Sequence, residues 1–77
     1  MQTYMIRVDS GKPQEFKVKT SIYRDAAAAV PAVLGVDLPT DIEIWATYEG
    51  RELSRFRFRC TVDDYGQFVV QHLVKRS

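Results

Sequence analysis

The sequence predicts an α+β domain in which an antiparallel five-stranded sheet carries one helix on one face, in the order β-β-α-β-β-β. Apolar and polar residues alternate with period two before residue 20 and after residue 41. Between them, Ile22 to Leu34 carries apolar residues at helical spacing. Turn-forming residues separate the runs, and 77 residues suffice for one domain spanning 1–77.

Tyr4, Ile6 and Val8 fall on one side of the first strand, Met5 and Arg7 on the other. Ser10, Gly11, Lys12 and Pro13 form a turn by residue type. Phe16 and Val18 then point inward while Glu15, Lys17 and Lys19 point outward, which completes a hairpin. Thr20 and Ser21 supply hydroxyls for a helix N-cap, and Asp25 suits the positive end of the helix dipole. Ala26, Val30, Val33 and Leu34 share the expected buried face, extended by Ile22 or Tyr23. Pro31 removes one backbone hydrogen bond, so a kink or a new turn is expected there. Gly35 is the natural C-terminal stop.

Three strands follow the loop 36–40. Ile42, Ile44 and Ala46 face inward, and Glu43, Trp45 and Thr47 outward. The next strand alternates most clearly, with Phe56, Phe58, Cys60 and Val62 in, and Arg55, Arg57, Arg59 and Thr61 out. A three-residue loop ending in glycine fits Asp64-Tyr65-Gly66. It closes on Asp63 and Gln67 and turns Phe68, Val70, His72 and Val74 toward the core. The same rule applied to Tyr48-Glu49-Gly50 closes on Thr47 and Arg51. Trp45 then faces Leu53, Glu43 faces Arg55, and Asp41 faces Arg57.

Eleven basic and ten acidic side chains give a net charge of +1, which as a total argues against a strongly basic nucleic-acid binder. The acids nevertheless lie mostly in turns and at strand ends, while the bases lie within strands on one face. No apolar run reaches the length of a membrane span, and no secretory signal is recognised; the expected location is cytoplasmic. One cysteine, Cys60, and one histidine, His72, leave no multi-cysteine or multi-histidine metal site, and no cofactor is expected. A Cys60–His72 contact is conceivable, but no motif pairs either with a catalytic partner. Asp63-Asp64 reads as a turn whose carboxylates cap backbone amides. No glycine-rich phosphate loop opens the helix. The sequence therefore points away from an enzyme.

The feature that stands out is Arg55, Arg57 and Arg59 on the outward side of one strand. Arg7, Lys17, Lys19 and Lys75 share that face, as does Trp45 with Met5, Leu53, Val69 and Leu73. Guanidinium groups pair bidentately with carboxylate or phosphate and stack on aromatics. One reading is an ordinary solvated face whose arginines pair with Asp41 and Glu43 across the strands. The apolar residues among the charges favour an interface instead. Its partner would be a protein, with homodimerisation through the face included, or secondarily a nucleic acid. One exposed aromatic is thin for a base-stacking platform.

The run Gln2-Thr3-Tyr4-Met5-Ile6, the strand Glu15-Phe16-Lys17-Val18 and the alanine-rich helix ending Val33-Leu34-Gly35 resemble the first half of small bacteriophage type I anti-CRISPR proteins. The rest of the chain resembles them in element order. The resemblance implies a non-enzymatic viral inhibitor that evades host defence. Such an inhibitor binds a type I Cas surveillance complex or its nuclease and blocks DNA interference. These proteins share no common motif, so no functional residue is carried over. The residues expected to meet the partner are Arg55, Arg57, Arg59 and Trp45, with Arg7, Lys17 and Lys19 around them. The alternative is a small nucleic-acid-binding module using the same basic face.

Overall fold

The computed structural model describes residues 1–74, so the expected place of Lys75 on the outer face lies outside the described residues. Strands β1 (Gln2–Val8), β2 (Gln14–Val18), β3 (Thr40–Trp45), β6 (Phe56–Val62) and β7 (Phe68–His72) form the expected five-stranded sheet. The order is β2-β1-β3-β6-β7 and every neighbouring pair is antiparallel. A separate two-stranded hairpin, β4 (Thr47–Tyr48) with β5 (Arg51–Glu52), interrupts the passage from β3 to β6. Helix α1 (Tyr23–Leu34) packs on one face, chiefly over β3 and β6.

The centre of the core follows the alternation, whereas Val62, Phe68, His72 and Val74, expected inward, are exposed at the end of β6 and along the edge strand β7 and its continuation. Tyr4, Ile6, Phe16, Ile42, Ile44, Phe58 and Cys60 from the sheet meet Ala26, Ala27 and Val30 from the helix. Alanines at two of the three helical positions let the helix axis approach the sheet closely. The buried Tyr4 hydroxyl donates to the Thr20 carbonyl at 2.9 Å, and its ring meets Tyr23 edge-on at 5.3 Å. Burial first, and then the neighbouring Tyr23, push the Tyr4 hydroxyl pKa up.

The helix departs from expectation in three ways. Its N-cap is Ile22, with no capping side chain; Thr20 Oγ1 instead accepts from the Ile22 amide at 3.1 Å, a local turn ahead of the helix. Pro31 lies inside one continuous helix and is buried. Val33 is 66% exposed and Leu34 39%. Both lie in the last turn, past Val30 and Pro31, the last buried residues of the helix. Gly35, at φ 67°, ends the helix as expected, and the Gly35 and Val36 amides both donate to the Pro31 carbonyl.

The registers split in the same way. Asp63 and Gln67 close the last hairpin, with Gly66 at φ 77°, and Phe58 pairs with His72 as expected. The Asp63 carboxylate accepts from the Tyr65 and Gln67 amides, each at 2.9 Å. The preceding hairpin is tighter than expected. Glu49 and Gly50, both at positive φ (51° and 77°), form a two-residue turn that pairs Tyr48 with Arg51. The chain then slips once more through 53–55, so Asp41 faces Arg59 and Glu43 faces Arg57. Two single-residue slips restore the parity of the faces. Arg57 and Arg59 therefore keep the outward side that was expected, each one pair further along.

Candidate protein-binding face

The outer face is built by three neighbouring strands, β1, β3 and β6. Arg7, Glu43 and Arg57 lie in one cross-strand row, and Asp41 and Arg59 in the next. Opposite charges directly across a strand pair attract at Cβ separations of about 5 Å. Glu43 sits at the centre, with only 16% of its side chain exposed, and accepts from Arg7 at 2.8 Å and from Arg55 at 2.9 Å. Arg55 also grips Glu52 at 2.9 Å. Arg59 donates to both oxygens of Asp41, at 2.9 and 3.3 Å. That hydrogen bond is the main reason the Asp41 carboxyl lies below its ordinary value; burial opposes the shift and the charges of Arg59 and Arg57 add to it. The guanidiniums of Arg55 and Arg59 are pushed up by the same bonds, from Glu52 and Asp41 respectively.

Arg57 is different. It reaches Asp41 only at 3.9 Å, and 59% of its side chain is exposed. Two open clefts flank it. One, of about 300 Å³, is lined by Arg7, Asp9, Ser10, Asp41, Glu43 and Arg57. The other, of about 580 Å³, is lined by Glu43, Arg55, Phe56, Arg57, His72 and Leu73, with Val74 at its end. Glu43 and Arg57 line both, so together they form the ridge between the clefts.

Trp45 does not present itself as an exposed anchor. It points to the outer face as its phase requires, yet it is 2% exposed. Met5 stands opposite it on β1, and the Arg55 guanidinium lies 3.9 Å from its ring centroid. Nothing in the alternation distinguishes a face residue that an arginine then covers.

Lys17 and Lys19 are exposed but apart from the arginines. Lys17 pairs with Thr3, four residues along β1 from the Arg7 row and three strands from Arg57. Strand spacing and rise place them about 20 Å apart. The face is thus a compact set of four guanidiniums, Arg7, Arg55, Arg57 and Arg59, against three carboxylates, Asp41, Glu43 and Glu52. It is less basic than the segregation of charges along the sequence suggests. Sequence reasoning found Asp41 and Glu43 by phase but missed Glu52, whose approach to Arg55 follows the tighter turn and the slip through 53–55.

The Cys60–His72 contact is absent. The Cys60 thiol faces the Ala27 carbonyl at 4.0 Å, while the His72 ring packs on Phe58 and Phe56 at 5.1 and 6.0 Å. Burial, and secondarily the Asp41 charge, push the thiol pKa up, away from a reactive thiolate. Among the described residues no cluster of three or more His, Cys, Asp or Glu side chains is placed to hold a metal ion. No helix among them is long and apolar enough to cross a membrane. No protein-family model, no curated protein and no solved structure matches the chain.

Proposed function

We propose that the protein is a non-enzymatic binding protein that docks a protein partner through the outer face of the sheet, with Arg57 as the central contact. The observation that carries this reading is the pairing of the face. Arg7, Arg55 and Arg59 are already committed to carboxylates within 3 Å, whereas Arg57 stands on a ridge between two clefts with its nearest acid at 3.9 Å. A surface of alternating signs with one uncommitted guanidinium suits a carboxylate on a patterned protein surface. A polyphosphate favours a surplus of free cations. The nucleic-acid alternative also loses its stacking platform, because the ring of Trp45 is covered.

The specific partner that the resemblance to phage anti-CRISPR proteins implies is a type I Cas surveillance complex or its nuclease, with the protein acting as a stoichiometric inhibitor of DNA interference. The test expresses the chain in bacteria whose type I system protects them from a phage, and counts plaques. The wild-type chain should restore plaquing, and Arg57→Gln, which removes no strong ion pair and adds no charge beside Asp41 and Glu43, should keep the wild-type melting temperature and lose most of the effect. Unchanged inhibition by Arg57→Gln overturns the role of this face. No restoration in any type I host overturns the inhibitor reading. Retardation of single- or double-stranded nucleic acid at low salt, weakening steeply with log salt, overturns protein docking in favour of the nucleic-acid module.

A further inference from the structure

The two edges of the sheet are not equivalent. The β2 edge carries Glu15 and Lys17 and is flanked by Lys12, Pro13 and Lys19, the residue types that discourage strand addition. The β7 edge, Phe68-Val69-Val70-Gln71-His72, carries no formal charge and no proline, and among the described residues no strand lies beyond it.

The direction of its backbone groups is fixed by the hydrogen bonds on its other side. Asp63 donates to Gln67, and Leu73 donates to Arg57, so odd-numbered β7 residues bond to β6. Antiparallel strands alternate the sense of their backbone groups. The amides and carbonyls of Phe68, Val70 and His72 therefore point to the open edge. One of these six groups is occupied: the Val70 carbonyl accepts from the guanidinium of Arg24, which reaches over from α1. Beside Phe68, 46% exposed, an apolar cleft of about 330 Å³ opens between Ala28, Pro31 and Ala32 of the helix, Val36, Leu38 and the Phe68 ring.

We propose that β7 is an acceptor edge for an extended segment of a protein partner that carries an acidic residue two positions before an apolar one. The incoming strand adds antiparallel, as every pair in this sheet does. Phe68 and Val70 lie two residues apart on the helix-facing side, so their opposite numbers on the added strand also lie two apart on that side. The residue opposite Phe68 has the apolar cleft to fill. The residue opposite Val70 meets Arg24, whose guanidinium loses its acceptor when the incoming amide takes the Val70 carbonyl, and a carboxylate replaces it. Charge also decides against a second copy of this chain. Symmetric pairing about Val70 would bring two Arg24 guanidiniums together at the axis, each robbed of its carbonyl.

The probe is the capped hexapeptide Thr-Val-Glu-Thr-Leu-Thr, titrated into the isotopically labelled protein with amide exchange read by NMR. The expected result is at least tenfold slower exchange at Phe68, Val70 and His72 and little change at Val69 and Gln71, which are already bonded to β6. The matching peptide with Lys in place of Glu should bind at least tenfold more weakly, and Arg24→Glu should reverse that preference. Even-numbered β7 amides that stay unprotected at saturating peptide overturn the proposal. So does protection that rises with protein concentration alone, the signature of self-pairing. A preference between the two peptides that Arg24→Glu leaves unchanged overturns the charge contact.

Discussion

Trp45→Ala separates the outer face as drawn by alternation from the outer face as built. If the ring were an exposed anchor, its removal would change stability by no more than about 0.5 kcal/mol, as surface substitutions do. At 2% exposure, with Met5 opposite and Arg55 stacked on the ring, it belongs among buried aromatic truncations. Those cost about 3–5 kcal/mol. The lower end applies here, because part of the cover is a side chain that can settle into the space the indole leaves. A domain of 77 residues has a total stability of about 4–12 kcal/mol at 0.05–0.15 kcal/mol per residue. A loss of about 3 kcal/mol is then a large fraction of the whole and lowers Tm by about 12–24 °C at 4–8 °C per kcal/mol. Urea and thermal unfolding followed by far-UV circular dichroism read both quantities, since the variant lacks the sole tryptophan as a fluorescence probe. Tyr65→Ala, at an 89% exposed position, is the control and should stay within about 0.5 kcal/mol of wild type. A Trp45→Ala loss below about 1 kcal/mol would refute the burial argument. It would also return Trp45 to the list of side chains free to meet a partner.

Asp41→Asn should destabilise the protein at neutral pH. Because the folded carboxyl lies below its ordinary 3.8, chiefly through the Arg59 bond, the stabilisation is present above that value and is lost as pH falls through the folded pKa. The gap between wild type and variant in acid-urea titrations should therefore close in strong acid; a gap independent of pH would contradict the assignment. For Cys60 the sign is opposite. Its folded pKa is raised above the ordinary 9.0, so its contribution is present below that value and is lost as pH rises. Iodoacetamide at pH 8 should label it far more slowly in native than in urea-unfolded protein, and equal rates would mean the thiol is accessible. Glu49→Asn should stabilise by about 0.5 kcal/mol in urea melts, since Asn tolerates the positive φ of a two-residue turn better than Glu. A loss of stability there would mean the Glu49 side chain makes a contribution that its backbone strain conceals.

The faces of the strands were legible because they depend only on parity, and parity survives errors of two. Phe56, Phe58 and Cys60 lie on the inner side whichever pair Arg57 joins, and the Asp63–Gln67 closure was marked by a glycine in the right place. Register across β3 and β6 was not legible. It depends on how the chain spends residues 46 to 55, and a Glu-Gly turn followed by a slip has no compositional mark. Burial on the outer face was equally hidden, because Trp45 is 2% exposed beneath an Arg55 guanidinium whose position depends on that unread register. Arg24 gave no signal at all: its significance appears only when α1 is laid beside β7.

Two singular residues explain each other. Pro31 has no amide hydrogen, so the Ala27 carbonyl, one turn earlier in a buried part of the helix, cannot receive its regular intrahelical bond. An unmet carbonyl in a core is costly, and helices with an internal proline find a substitute or bend. Here β6 sets the Cys60 thiol 4.0 Å from that oxygen, a weak donor at long range. The lone cysteine thus has an occupation within the fold, and its raised pKa keeps it a thiol rather than a nucleophile. With the thiol committed to the helix and the imidazole of His72 stacked on Phe58, the polar groups gathered on the outer face are guanidiniums and carboxylates in fixed rows. Such groups recognise a surface by charge and direction without making or breaking a bond, which is the ground on which the binding role is proposed.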